Sequence, residues 1–167
     1  MQVRAAVQDD ERTLARIAHA AWSWESAANP QPSLETPFFN DAILPGNVLA
    51  AVEGGQVLGF AKLVPMSLAQ PKIASATTHV QQVYGFSVAP EHQGRGVGSA
   101  LLHAVRQEAV ARNARRITLR VLSTNTRAQA LYLRHGYKVE GSLEGEFFLQ
   151  GKYVDDVLMA LDLSAEV

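Results

Sequence analysis

Residues 83–113 constrain this chain most. An apolar strand runs into the turn Gln93-Gly94-Arg95-Gly96-Val97-Gly98, and a helix follows. A glycine-rich turn at a helix start leaves backbone N–H groups without helical partners, and the helix dipole adds about half a positive charge there. Glycines let the backbone approach a bulky diphosphate with no Cβ in the way. The turn is therefore an anion site, and the chain is expected to hold a phosphate-bearing cofactor at it.

Three kinds of phosphate turn compete. A Walker-type loop needs Lys-Ser/Thr after its last glycine, but Gly98 is followed by Ser99-Ala100. A dinucleotide turn needs a third glycine where Ser99 stands, and an acidic residue ending the next strand. That strand ends in Leu122-Ser123-Thr124. The third pattern, Gln/Arg-x-x-Gly-x-Gly/Ala, is met in full by Gln93, Gly96 and Gly98.

Residues 84–102, from Tyr84-Gly85-Phe86 through the turn to Leu101-Leu102, resemble the signature of the GNAT superfamily of acyl-CoA-dependent N-acyltransferases. A second block resembles that family's other motif: the strand from Ile117, then Asn125, then Leu131-Tyr132, then Gly136-Tyr137. Two motifs in order and in register are far more specific than either alone. The resemblance covers residues 80–163 closely and the N-terminal half by element order. It implies an α/β fold: a mixed, mostly antiparallel twisted sheet, splayed at a cofactor cleft, with helices on both faces. The whole of residues 1–167 would be one such domain.

Bulk properties agree with a single globular domain: 167 residues, 47% hydrophobic and 19% charged. A net charge of −1 gives no reason to expect nucleic acid or an anionic membrane as partner. The absence of cysteine excludes disulfides and a cysteine acyl-enzyme, and no metal is assigned. The N-terminus lacks a signal-peptide core, so the expected location is the cytoplasm.

Periodicity supplies the rest of the expected architecture. Residues 3–7 read as a strand. The next helix, carrying Leu14, Ile17, Ala18 and Ala21 on one face, can be capped by Asp9 or Asp10. Residues 25–46 read as loop, 48–53 and 56–64 as a hairpin, and 65–78 as an irregular, mobile loop. After the strand 80–89, Val97, Leu101, Val105 and Ala109 mark one helix face. A strand at 117–122, a helix begun by Asn125 and stopped by Gly136, a strand at 137–141 and a hairpin of 147–149 with 153–163 complete the chain.

The turn from Gln93 through Gly94, Arg95, Gly96, Val97, Gly98 and Ser99 is expected to bind the pyrophosphate, with Arg95 adding a charge-assisted bond. The resemblance implies acetyl-CoA, paired along the strand at Val88, with the Phe86 N–H facing the thioester oxygen. It places Tyr132 as the acid that hydrogen-bonds the leaving thiolate, and Asn125 on the cofactor arm or capping its helix. Many relatives carry a general-base Glu in the strand before the turn. Residues 80–88 have no carboxylate, which leaves ordered water held by Gln82 or Tyr84, or His79. The acceptor pocket is expected among Trp22, Trp24, Phe38, Gln82, Tyr84 and Tyr153, each of which could equally be core or a homodimer contact. Asp155 or Asp156 could meet a substrate ammonium, although a solvated strand face is the plainer reading. The resulting expectation is transfer of acetyl directly to a small primary amine, amino-acid-like or otherwise. The alternatives are a protein N-terminal or lysine acceptor, and a non-catalytic acyl-CoA sensor.

Overall fold

A computed structural model describes residues 1–166, apart from the side chain of Ala69. One seven-stranded sheet has the order β1-β2-β3-β4-β5-β7-β6. Its strands are β1 (Gln2–Ala5), β2 (Val48–Glu53), β3 (Gln56–Pro65), β4 (Val80–Val88), β5 (Arg116–Leu122), β6 (Lys138–Leu149) and β7 (Lys152–Asp162). All neighbours are antiparallel except β4 and β5.

Helices cover both faces. α1 (Glu11–Ala20) packs on one side of the sheet, where Leu14 and Ile17 join Phe38, Phe39, Val48 and Phe60 in a core. α3 (Val97–Ala111) and α4 (Thr126–Arg134) lie on the other side. There the stripe read from the sequence (Val97, Leu101, Val105 and Ala109) is buried against Leu63, Ile117, Leu119 and Met159. Burying a leucine such as Leu101 contributes about 1.5–3 kcal/mol.

The feature that shapes the site is the β4–β5 pair. Its parallel register runs only from Val80↔Arg116 to Gln82↔Thr118, and beyond it the strands diverge. The β3–β4 register shows why. Leu63 pairs with Val83 and Lys62 with Gly85, so Tyr84 is an extra residue on β4. A bulge of this kind bends its strand and increases the local twist.

Several expected details differ. Residues 65–78 are not a featureless loop; they hold the single-turn helix α2 (Met66–Ala69) and a 3-10 stretch, Pro71–Ala76. β6 is one continuous strand rather than two short ones. The glycines that looked like breaks lie at or beside bulges, where residues are accommodated between Val139 and Gly141 and between Leu143 and Phe147. Asp10 does not cap α1 with its side chain. Its carboxylate instead takes two bonds from Arg4 (2.7 and 3.0 Å) and one from the Val7 N–H (2.9 Å).

Candidate active site

The fork between β4 and β5 opens into a cleft of about 1060 Å³, walled by β4, the glycine turn, α4, β5, the β6–β7 ribbon and the segment 21–29. The β4 edge facing it carries free main chain. Ala89 N–H donates to Leu58 O on β3 at 2.9 Å. By strand alternation, the N–H groups of Phe86 and Val88 therefore point away from β3, into the fork. Val88 O is taken by Gln93 Nε2 at 3.1 Å, which leaves Val88 its N–H.

At the turn, Gly94 and Gly96 adopt positive φ (+77° and +82°), a conformation other residues reach only with strain. The first helical bond is Ala100 N–H to Gly96 O (3.0 Å), so the amides ahead of it have no helical partner. Gly98 serves close packing: a Cβ there would lie 3.0 Å from Leu131 Cδ2 and 3.6 Å from Phe86 Cζ. Ser99 Oγ is tied to His135 Nε2 at 3.0 Å.

Tyr132 lines the cleft from α4, edge-on to Phe86 with ring centroids 6.0 Å apart. Burial pushes its phenol up to about 12, so it stays protonated at neutral pH. Asn125 Oδ1 accepts from Ala128 N–H at 3.2 Å, capping α4 while lining the cleft.

The cleft gathers Trp22, Tyr84, Phe86, Val88, Gln93, Gly94, Gly96, Val97, Gly98, Ser99, Asn125 and Tyr132 from the expected set. Arg95 is elsewhere: its guanidinium meets Glu53 Oε2 and His92 Nδ1, both at 2.9 Å. Trp24 stands behind Trp22, edge-on at 4.9 Å. Phe38 is 7% exposed in the α1-side core, with the Lys62 ammonium 4.2 Å over its ring. Tyr153 is 77% exposed and meets Phe148 at a tilt, ring centroids 5.1 Å apart, at the far hairpin. Gln82 sits below the fork. Its Oε1 and Thr118 Oγ1, neighbours in the β4–β5 register, are buried without protein partners. His79 is exposed ahead of β4, at the strand end remote from the turn.

Other cleft residues give no signal in the sequence, apart from Asp156, which reads there chiefly as a solvated strand position. Arg127 on α4 reaches Gln93 Oε1 at 2.8 Å, a cation beside the anion turn, and Arg134 shares the wall. Arg120, Asp156, Glu146 and Phe147 line the β5–β7–β6 side. Gly145 N–H donates to Asp155 Oδ1 (2.8 Å) within the β6 bulge, which sets the path of the following Glu146 and Phe147. Asp156 is not on a solvated strand face; it is buried and paired with Arg120.

The profile of the acetyltransferase (GNAT) family matches residues 14–137, well over half of the chain. The chain belongs to that family. Among curated relatives, spermidine N(1)-acetyltransferase of Vibrio cholerae is 36% identical over 78 residues, which is 46% of this chain and 45% of that protein. The chain thus aligns with less than half of that relative's length. Among solved structures, smu.2055 from Streptococcus mutans superposes with a TM-score of 0.82 at 23% identity, covering 98% of this chain and 99% of that one. A phosphinothricin acetyltransferase from Sinorhizobium meliloti, solved in complex with acetyl-CoA, gives 0.80 at 20% identity, covering 99% and 91%.

The residues of this cleft fit acetyl-CoA, the molecule bound in the Sinorhizobium meliloti structure. The unpartnered amides of the turn suit a pyrophosphate, and a Cβ built on Gly96 would meet nothing within 4 Å, so the space before them is open. The free N–H groups of the β4 edge suit an amide-bearing arm. When bound, the group supplies an acetyl thioester for transfer to an amine.

Proposed function

We propose that this acetyltransferase moves acetyl from acetyl-CoA directly onto the primary amine of a small molecule, with both substrates bound at once. The observation that carries the reading is the continuity of the cleft. One cavity runs past the glycine turn, the β4 edge and Tyr132 to Trp22, Tyr84, Glu25, Glu146 and Phe147. The 21–29 segment forms part of its wall. Thr124 Oγ1 donates to Glu25 O at 2.9 Å, which ties that segment to the loop before α4, and Trp22 Nε1 donates to Asn29 O at 2.8 Å within it. A cleft with exposed carboxylates at Glu25 and Glu146 favours a small cation as acceptor. The relation to a spermidine acetyltransferase points the same way.

In this reading the turn, with Gln93 and Arg127 beside it, binds the diphosphate. Val88 N–H orients the arm, and Phe86 N–H stabilises oxygen charge as the amine attacks. Tyr132 donates a hydrogen bond to the departing sulfur. With no cysteine in the chain, transfer needs no thiol acyl-enzyme. A panel of amino acids, polyamines, aminoglycosides and N-terminal peptides, read by free-thiol release, tests this. Saturable turnover on a small amine, with no acetyl left on the protein by mass spectrometry, is expected. Turnover on peptides alone, or an acetylated enzyme intermediate, contradicts it.

A further inference from the structure

An ammonium must lose a proton before it can attack, and β4 provides no carboxylate to take it. Among the described residues three carboxylates line the cleft: Glu25, Glu146 and Asp156. Glu25 and Glu146 are exposed, whereas Asp156 is 3% exposed. Asp156 stands on β7, opposite Leu122 of β5 and Leu143 of β6. Its Oδ2 accepts from Arg120 Nε at 2.6 Å, and Arg120 Nη2 completes the ion pair. Among the described residues Oδ1 has no protein partner, and it is not among the atoms sealed from the cleft. One oxygen is anchored and the other is free to meet a ligand.

We propose that Asp156 is the general base of the transfer, with Arg120 as its positioning residue. The inference rests on the acetyl-transfer reading above. An ammonium N–H gives its proton to Asp156 Oδ1. The nitrogen lone pair then forms the bond to the acetyl carbon as the C–S bond breaks, and the electron pair leaves on sulfur. The second proton lost by nitrogen passes to the departing thiolate, to which the Tyr132 hydroxyl donates a hydrogen bond. The products are an N-acetyl amide, a thiol and a protonated Asp156, which returns its proton to solvent. Arg120 from β5, Glu146 from β6 and Glu25 from the 21–29 segment are the charged groups that share this part of the cleft. Arg120 holds the carboxylate in place through their ion pair, and the two glutamates attract the cation.

The test measures kcat/KM between about pH 6 and 10 for wild type, Asp156→Asn and Arg120→Met on the best amine of the panel, alongside acetyl-CoA binding by calorimetry. Asp156→Asn is expected to keep acetyl-CoA affinity within about 3-fold and to lose ~10²–10³ in kcat/KM at neutral pH. That deficit should shrink as pH rises, because solution then supplies free amine. Arg120→Met should lower kcat with acetyl-CoA affinity unchanged, and Arg120→Lys should recover part of the loss, because the Asp156 carboxylate loses the contact that orients it. Wild-type turnover by Asp156→Asn, or a deficit that does not change with pH, overturns the proposal. Should Asp156→Asn fail to bind acetyl-CoA, Arg120→Met decides alone: an undiminished kcat overturns it. A wild type that acetylates no amine removes the transfer reading and this inference together, whereas an active wild type with an equally active Asp156→Asn removes only the inference.

Discussion

Replacing Tyr132 with Phe removes one hydroxyl from a side chain that is already packed, and the structure sets how much rate should go with it. Burial pushes the Tyr132 phenol up to about 12. A thiol ionises near ~8.5, so handing the proton fully to a free thiolate would run uphill by about 3.5 pH units, or ~5 kcal/mol. Outright proton transfer ahead of C–S cleavage is therefore disfavoured, and the hydroxyl should act chiefly as a hydrogen-bond donor to charge growing on sulfur. Hydrogen bonds to charged groups contribute about 1.5–3 kcal/mol, which corresponds to roughly 10- to 150-fold in rate. Steady-state thiol release should show kcat falling by that factor, with acetyl-CoA affinity unchanged. The wild-type profile should also lack a basic limb below about pH 10, because a phenol this buried does not ionise there. A basic limb near pH 8–9 that vanishes in Tyr132→Phe would refute the argument from burial. Undiminished turnover would refute the role of the hydroxyl altogether.

Gly96→Val places a β-branched residue at φ +82° and should cost about 1–3 kcal/mol of stability while abolishing the thermal upshift given by acetyl-CoA. Gln93→Ala cuts the links to Val88 O and Arg127 and should raise the KM for acetyl-CoA about 3- to 10-fold with kcat little changed, measured by initial rates. The bonds from Arg4 and Val7 hold the Asp10 carboxyl below its usual range. That stabilisation is complete above the unfolded carboxyl's pKa, near pH ~4, and is lost as pH falls through the lower native value. Thermal melts should therefore show wild type losing more stability than Asp10→Asn as pH drops from about 5 to 2, with the variant about 1–3 kcal/mol less stable at neutral pH.

The half of the site that was legible in the sequence is the half built from main chain. Gly94, Gly96 and Gly98 sit where conformation or close approach requires them, so their spacing reports the turn directly. Asn125 and Gly136 mark the ends of α4 by local chemistry, and the structure shows the cap and the positive φ that go with them. Side chains brought in from distant elements were harder to place. Phe38 looked like a pocket aromatic, but it is drawn into the α1-side core with Phe39 and Phe60, because that face of the sheet also needs covering. Arg95 adjoins the anion turn in sequence, yet Glu53 and His92 are nearer to its guanidinium than the cleft is. Asp156 read as a solvated position because Asp155 beside it and the strand pattern do not reveal that Arg120 lies across the sheet to neutralise it. The β6 bulges hid a continuous strand because inserted residues break the period-two alternation on which strand reading depends.

The central claim is that main-chain amides at the mouth of α3 and along the free edge of β4 grip acetyl-CoA. Amide hydrogen exchange with and without saturating acetyl-CoA tests it most directly. Slowed exchange confined to peptides covering residues 83–99 and the start of α4 is the expected result. Unaltered exchange across residues 83–99, with the ligand shown to be bound elsewhere or not at all, would contradict it.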